Sequence, residues 1–306
     1  MHPLNPAKTE NILVLGAGEL GMAVLRELAA RPEARVTVML RPSAIDTTSV
    51  HKRQTLEELN SLGIEVLPGD VVNDSIDQLA ERFSGFDTLV SCLGFVAGSG
   101  TQVKLARAAL QSEVKRYVPW QFGVDYDVIG RGSPQDLFDE QLDVRDLLRA
   151  QSRVQWLIIS TGMFTSFLFE PAFGVVNLAQ NTVRALGSWN TAVTVTTPED
   201  IGRLTAVILF DPVLVNQVVY ITGDTLTYGQ LADTVDRLLN RTVKRVEWTV
   251  PALMADLVAA PDDPTRKYRA VFAEGKGVAW DKAQSYNAER QIKTTTVAEW
   301  IEQHLL

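Results

Sequence analysis

A chain of 306 residues is long for one hydrophobic core, so one large domain or two closely joined domains are expected. With 29 basic against 37 acidic residues the net charge is −8, and no Lys/Arg block stands ready for phosphates; nucleic-acid and membrane-surface partners are set aside. One cysteine, Cys92, and three histidines, His2, His51 and His304, leave no internal disulfide, no zinc cluster and no ready nucleophilic triad.

The first 160 residues alternate two patterns. Asn11–Leu15 is a short apolar run, as in a strand buried on both faces, and Glu19–Arg31 follows with Leu20, Val24, Leu25 and Leu28 on one helical stripe. Val36–Leu40, Ile64–Leu67, Phe86–Ser91, Arg116–Pro119 and Val154–Ser160 read as further strands. Between them Leu56–Leu62, Ser75–Phe83, Thr101–Gln111 and Asp136–Ala150 read as helices. Strands separated by helices need crossover connections, so the expected fold is α/β, a doubly wound parallel (Rossmann) sheet over residues 1–160.

After Ser160 the rhythm changes. Thr161–Pro171 is aromatic and irregular; Val183–Leu186 and Ala192–Thr196 read as short strands around a Gly187-Ser188 turn. Thr197-Pro198-Glu199-Asp200 has the cap, N1 proline and acidic first turn of a helix start. Gln217–Ile221 reads as a strand, and Thr227–Leu239 and Thr295–Leu305 as helices. Residues 161–306 are therefore expected to form a smaller α/β substrate-binding portion, with some segments returning to the main sheet. The polar first ten residues lack a signal-peptide core and no run reaches membrane-span length, so a cytoplasmic address is expected.

Gly16-Ala17-Gly18-Glu19-Leu20-Gly21 follows the first strand and opens the first helix, the context in which glycines serve a pyrophosphate. Gly16 suits the tight turn, Gly18 the backbone approach and Gly21 the helix packing, while the helix N-terminus offers N–H groups to an anion. The second strand ends Leu40-Arg41-Pro42-Ser43, without the carboxylate that would bind a free ribose 2′-hydroxyl. Arg41 with Ser43, and Lys52 or Arg53 from the next loop, instead suit a 2′-phosphate, and NADP(H) is the expected cofactor. Cys92, Leu93 and Gly94 after the fourth strand, and Gln121 after the fifth, are the remaining cofactor candidates. Trp120, Phe122, Met163, Phe164 and Phe167 are expected to line a greasy substrate pocket, helped by Phe169 and Trp189. The Tyr-x-x-x-Lys pair of short-chain dehydrogenases is absent, because Gln121 and Gly130 lie four residues beyond Tyr117 and Tyr126.

These segments taken in order resemble the NmrA-like and isoflavone-reductase-like family of atypical short-chain dehydrogenases, its fungal branch above all. The resemblance rests on GAGELG, VMLRPS, LGIEVLPGDVVND, FDTLVSCLG, TQVKLARAA, KRYVPWQFG, TPEDIG and TTTVAEW, and spans nearly the whole chain. It implies an NADP(H) site with the arginine on the 2′-phosphate. It also implies a catalytic lysine in a helix reading F-E-V-K-A-K-V-R, and that stretch here runs from Phe138 to Arg145 with Gln141 in the lysine's place. A carboxamide donates a hydrogen bond but delivers no proton near neutral pH. Three readings stay open: another acid such as Tyr126, or water; a substrate whose protonation is undemanding, such as an iminium or polarised enone; or NADP(H) binding without turnover, as in a sensor that meets a protein partner. The first two make the chain an NADPH-dependent oxidoreductase of a hydrophobic, aromatic small molecule in secondary metabolism, with cyclisation in the pocket and a homodimer both left open.

Overall fold

A computed structural model describes residues 9–95 and 98–306; His2 and the rest of the N-terminal stretch up to Lys8 lie outside the described residues. The chain begins β1 (Glu10–Leu15), α1 (Glu19–Ala29), β2 (Ala34–Leu40), α2 (Pro42–Ile45), α3 (Val50–Ser61), β3 (Glu65–Pro68) and α4 (Ile76–Phe83). It continues β4 (Thr88–Ser91), α5 (Thr101–Gln111), β5 (Arg116–Val118), α6 (Tyr126–Ile129), α7 (Leu137–Arg149) and β6 (Gln155–Ser160). Next come β7 (Met163–Phe164), a 3-10 turn over Thr165–Phe169, β8 (Val176–Asn177), β9 (Thr182–Leu186), β10 (Ala192–Thr196), α8 (Pro198–Leu209) and β11 (Gln217–Tyr220). The chain closes with β12 (Asp224–Thr227), α9 (Tyr228–Leu238), β13 (Lys244–Trp248), α10 (Val250–Ala259), α11 (Pro264–Ala273), α12 (Tyr286–Glu289) and α13 (Val297–His304).

The main sheet has seven strands in the order β11-β6-β5-β4-β1-β2-β3, and its ladders from β6 to β3 are parallel. This is the doubly wound α/β fold that the alternating pattern requires. Ile12 to Leu15 are fully buried because helices cover both faces of such a sheet. The strand order reverses at β1, which lies between β2 and β4, so the crevice for a ligand opens at the carboxyl ends of β1 and β4.

By compactness the chain divides into two units, each made of several segments. One contains residues 1–120, 143–158 and 201–218; the other contains 121–142, 159–200 and 219–306. In the first, Leu13, Leu15, Phe83, Leu105, Tyr117 and Ile158 belong to one buried core. In the second, two small sheets run β12-β10-β7 and β13-β9-β8. The boundary read from the sequence at residue 160 falls two residues after one of the places where the chain passes between units.

Most expected elements appear within a few residues of their places. Ser75 and Thr227 lie just outside their helices because each caps one, in a capping box with Gln78 and Gln230. The Gly187-Ser188 segment is not a hairpin turn: β9 pairs with β8 and β13, while β10 pairs with β12 and β7. Gly187, at φ +83°, swings the chain from one small sheet to the other, and a Cβ there would lie 2.2 Å from the Ala273 carbonyl oxygen. The sequence reading lacks β12, β13, α10 and α11, although Asp263 caps α11 and Pro264 opens it.

Candidate functional site

The crevice of the first unit contains a cavity of about 390 Å³ at the ends of β1, β2 and β4. Gly16, Ala17 and Gly18 line one part of it, Arg41, His51 and Lys52 another, and Cys92, Leu93 and Gly94 a third. Gly16 turns at φ +89°, where a side chain is strained and its Cβ would also meet the Leu93 side chain at 2.6 Å. A Cβ on Gly21 would lie 2.2 Å from the Gly16 carbonyl oxygen, so α1 packs directly on the loop. Around Gly18 the situation is opposite. No atom lies within 4 Å of a Cβ built there, so the backbone at the start of α1 is open to the cavity. Gly18 is also the N-cap and supplies no side-chain cap, leaving the first-turn N–H groups to a ligand.

The cation end is built by the starts of two helices. Arg41 is the N-cap residue of α2, and among the described residues its guanidinium has no carboxylate within ion-pair distance. Its charge is nevertheless felt at Asp70, whose carboxyl is held below the usual carboxylate range by the Asn73 amide, the Val72 and Asn73 N–H groups and Arg41, against a desolvation cost. α3 begins with an uncapped Ser49 and no acid in its first turn, yet carries His51, Lys52 and Arg53 there. Cations at the positive end of a helix are locally unfavourable, and an anion held between them reverses the sign. Among the described residues lining the cavity, none is a carboxylate.

The other expected cofactor residues sort differently. Glu19, Leu20, Gly21 and Ser43 do not line the cavity; Leu20 is 5% exposed and points into the core, so only its backbone belongs to the loop. Cys92 lines the cavity, and burial pushes its thiol pKa up, which keeps it a neutral wall. Trp120 stands edge-on to Phe95 at 4.7 Å, and a Cβ on Gly94 would press to 3.1 Å from its ring. His51, Thr55 and Leu56 of α3 were missed as cavity residues. The basic first turn of that helix was the available signal.

Gln121 belongs to the second unit. It is fully buried, and its Nε2 donates to the Gln141 carbonyl oxygen at 2.9 Å, so this amide anchors α7. Gln141 is also fully buried, but among the described residues neither Oε1 nor Nε2 of its side chain has a hydrogen-bond partner. Tyr126 is 2% exposed at the start of α6, next to the capping Asp125, which accepts from the Tyr220 hydroxyl at 2.8 Å. Gly123 makes room for the Tyr126 hydroxyl, which would be 2.7 Å from a Cβ there. The Gly123 carbonyl oxygen accepts from the N–H groups of Thr161 and Gly162, joining the loops after β5 and β6.

Phe122 and Met163 are buried, and Phe164 and Phe167 are half-buried. Phe167 meets Tyr268 at 6.1 Å, Tyr268 meets Phe138 at 6.0 Å, and Phe138 meets Tyr126 at 5.0 Å, all edge-on. Burial pushes the Tyr268 hydroxyl up to about 12, so it keeps its proton at neutral pH. Phe138 and Tyr268 were missed, Tyr268 because α11 was. Phe169 and Trp189, expected in the pocket, have other neighbours: Phe169 stacks on Trp300 at 4.6 Å, and Arg245 lies 6.0 Å from the Trp189 ring. No group of three or more metal-ligating side chains occurs among the described residues, and no described helix is long and apolar enough to cross a membrane.

The profile of the NmrA-like family matches residues 8–301. The chain belongs to the NmrA-like family. An NmrA-like family domain-containing oxidoreductase of Gibberella moniliformis is 50% identical over 298 residues, covering 96% of this chain and 97% of that protein. Among solved structures, an isoflavone reductase superposes with a TM-score of 0.81 at 21% identity, over 97% of this chain and 99% of its own. The NADPH complex of leucoanthocyanidin reductase from Vitis vinifera superposes with a TM-score of 0.79 at 20% identity, over 96% and 98%. At that identity the two structures share the fold of this NmrA-like chain.

Proposed function

We propose that this NmrA-like chain is an NADPH-dependent oxidoreductase that reduces a C=C, C=N or C=O bond of a hydrophobic, aromatic small molecule. One observation carries the cofactor: a single cavity is lined by an open Gly18 backbone at one part and by Arg41, His51 and Lys52 at another, without a carboxylate. Those residues fit a dinucleotide with a 2′-phosphate, which a carboxylate would repel. The oxidoreductase relative at 50% identity, and solved neighbours named for isoflavone and leucoanthocyanidin, agree in reaction class and substrate type.

When bound, the reduced nicotinamide supplies a hydride; the chain supplies position and electrostatics. Gly16 to Gly18 and the start of α1 hold the pyrophosphate, and Arg41 with Lys52 the 2′-phosphate. Gln141, in the place of the family lysine, orients the substrate through its amide. The proton that completes reduction comes from Tyr126 or from water, since a carboxamide has none to give. In this reading the enzyme works in the cytoplasm as a tailoring reductase of secondary metabolism. The absence of a lysine at position 141 favours one second reading, an NADP(H) sensor that binds a protein partner without turnover.

Titration with NADPH and NADH, followed by nicotinamide absorbance with aromatic enones and imines, tests these readings. The oxidoreductase oxidises NADPH only when an acceptor is present. Tight NADPH binding with no turnover across the panel selects the sensor, and equal affinity for NADPH and NADH overturns the 2′-phosphate site.

A further inference from the structure

α3 turns one face to the cavity of the first unit. His51 and Lys52 line it from the first turn of the helix, and Thr55 and Leu56 from the second. Residues at this spacing share a side, because positions three and four apart are neighbours on a helix. The face is graded. Leu56 joins Met39 and Val71 as apolar wall, which suits a flat base, while His51, Lys52 and Arg41 are the basic groups of the described lining.

The backbone of His51 is held and its ring is not. Its carbonyl oxygen accepts from the Thr55 hydroxyl at 3.2 Å, and among the described residues no hydrogen bond or ion pair engages the imidazole, which is exposed. The carboxylates of the surrounding elements are engaged elsewhere. Glu58 of α3 pairs with Arg26 of α1 at 2.6 Å, and Glu65 of β3 pairs with Arg35 of β2 at 2.5 Å. After β3, Asp70 accepts from the Asn73 amide at 2.8 Å and Asp74 pairs with Arg82 at 3.2 Å. Asp46 at the end of α2 and Glu57 of α3 do not line the cavity, and Lys104 of α5 donates to the Val72 carbonyl oxygen at 2.9 Å. The charged groups that share the cavity with His51 are therefore Arg41 and Lys52, with Arg53 following in the chain.

Arginine and lysine carry a fixed charge across the physiological range, whereas imidazole is the side chain that gains or loses its charge within it. A phosphate dianion among the three favours the imidazolium, because an opposite charge a few ångströms away stabilises the charged form. We propose that His51 is the protonation-dependent third cation of a 2′-phosphate site whose fixed cations are Arg41 and Lys52, so that the preference for NADP(H) over NAD(H) strengthens as pH falls from about 8 to about 6. This rests on the NADP(H) reading of the cavity. It adds His51 as a specificity-determining residue and makes the choice of cofactor depend on pH.

Calorimetric titration of the full chain with NADP+ and NAD+ across this pH range tests it. In the wild type the ratio of the NAD+ Kd to the NADP+ Kd rises about tenfold from pH 8 to pH 6, the effect of one charge-assisted contact. The phosphate's own titration acts in the opposite direction, because fixed cations favour its dianion and protonation near pH 6 weakens binding. His51→Gln, which gains no charge, therefore shows a flat or falling ratio, and His51→Lys shows at pH 8 the ratio that the wild type reaches at pH 6. The side chain is exposed, so both variants keep the wild-type unfolding midpoint. Calorimetry at pH 7 in two buffers of different ionisation heat adds a second readout: the wild type takes up more protons than His51→Gln on binding NADP+, and equally many on binding NAD+.

A preference for NADP+ whose pH dependence is the same in wild type and His51→Gln overturns the proposal and leaves the 2′-phosphate site of Arg41 and Lys52 standing. A pH slope of equal size for NAD+ overturns it as well, since that cofactor has no 2′-phosphate to meet the imidazole. Equal affinity for the two cofactors at every pH overturns the 2′-phosphate site itself, and the role of His51 with it.

Discussion

The cavity of the first unit and the open amides of the second are built on opposite terms. Around Gly18, Arg41 and Lys52 the polar groups are exposed or face a cavity, come from strand ends and helix starts, and retain water until a ligand arrives. At Gln135 and Gln141 the side-chain amides are buried and, among the described residues, unpaired, and the aromatic rings of that unit that meet one another come from α6, α7, the 3-10 turn and α11. A site of the first kind costs the fold little. One of the second kind costs stability until its ligand is bound, and stability is the property most exposed to mutation there.

Restoring the family residue should have the largest effect. Gln141→Lys puts an ammonium where the side chain is fully buried, and should destabilise the protein by about 3–5 kcal/mol at pH 7. An introduced lysine here has a folded pKa below its free value of about 10.4, so the loss should shrink as pH rises towards 10 and grow as pH falls. Denaturant midpoints between pH 6 and 10 check this, and a flat profile would show that position 141 already accommodates charge.

Gly18→Asp comes next. Its Cβ meets nothing within 4 Å, so the unfolding midpoint should move little while NADPH affinity drops by about 100-fold or more, a carboxylate having replaced the open backbone. Gly21→Ala makes the contrast inside the same loop, because its Cβ would lie 2.2 Å from the Gly16 carbonyl oxygen and stability should fall with binding. Equal midpoints for the two variants would break the distinction between open and packed glycines.

Arg41→Ala should weaken NADPH by about 10–100-fold, the range of a charge-assisted contact of about 1.5–3 kcal/mol, and leave NADH nearly unchanged. Competition titrations with both cofactors measure it. The smallest effect is at Asp70, whose folded pKa is depressed chiefly by the Asn73 amide. Its contribution is present above the unfolded value of about 3.9 and is lost as pH falls through the lower folded value. Because Asp70 is only partly buried, Asp70→Asn should cost less than about 1 kcal/mol at pH 7 and remove that part of the acid slope. A larger loss would mean that the Asp70 turn carries the wall of the cavity.

The cavity at the ends of β1 and β2 was readable because it is local. A buried strand, three glycines at fixed spacing and an arginine at the next strand end specify a turn, a helix start and a charge over about 25 residues, whatever happens elsewhere. The basic first turn of α3 was equally readable, and would have added His51. The second unit was not readable in this way. Gly187 looked like a hairpin turn because strand periodicity says nothing about which sheet a strand joins. Phe169 and Tyr268 could not be told apart as stack and cluster, since aromatic composition does not say which rings meet.

What the amino-acid sequence determined by itself is the doubly wound sheet, the glycine loop at the start of α1 and the arginine at the end of β2, because backbone geometry and charge at those points depend on near neighbours in the chain. Tertiary structure alone decided that Gln121 anchors α7, that Asp125 accepts from Tyr220, and that the Gln135 and Gln141 side-chain amides are buried without partners among the described residues. Those facts depend on which distant segments exclude water from a polar atom and which supply it with a bond, and only the packed chain contains that information.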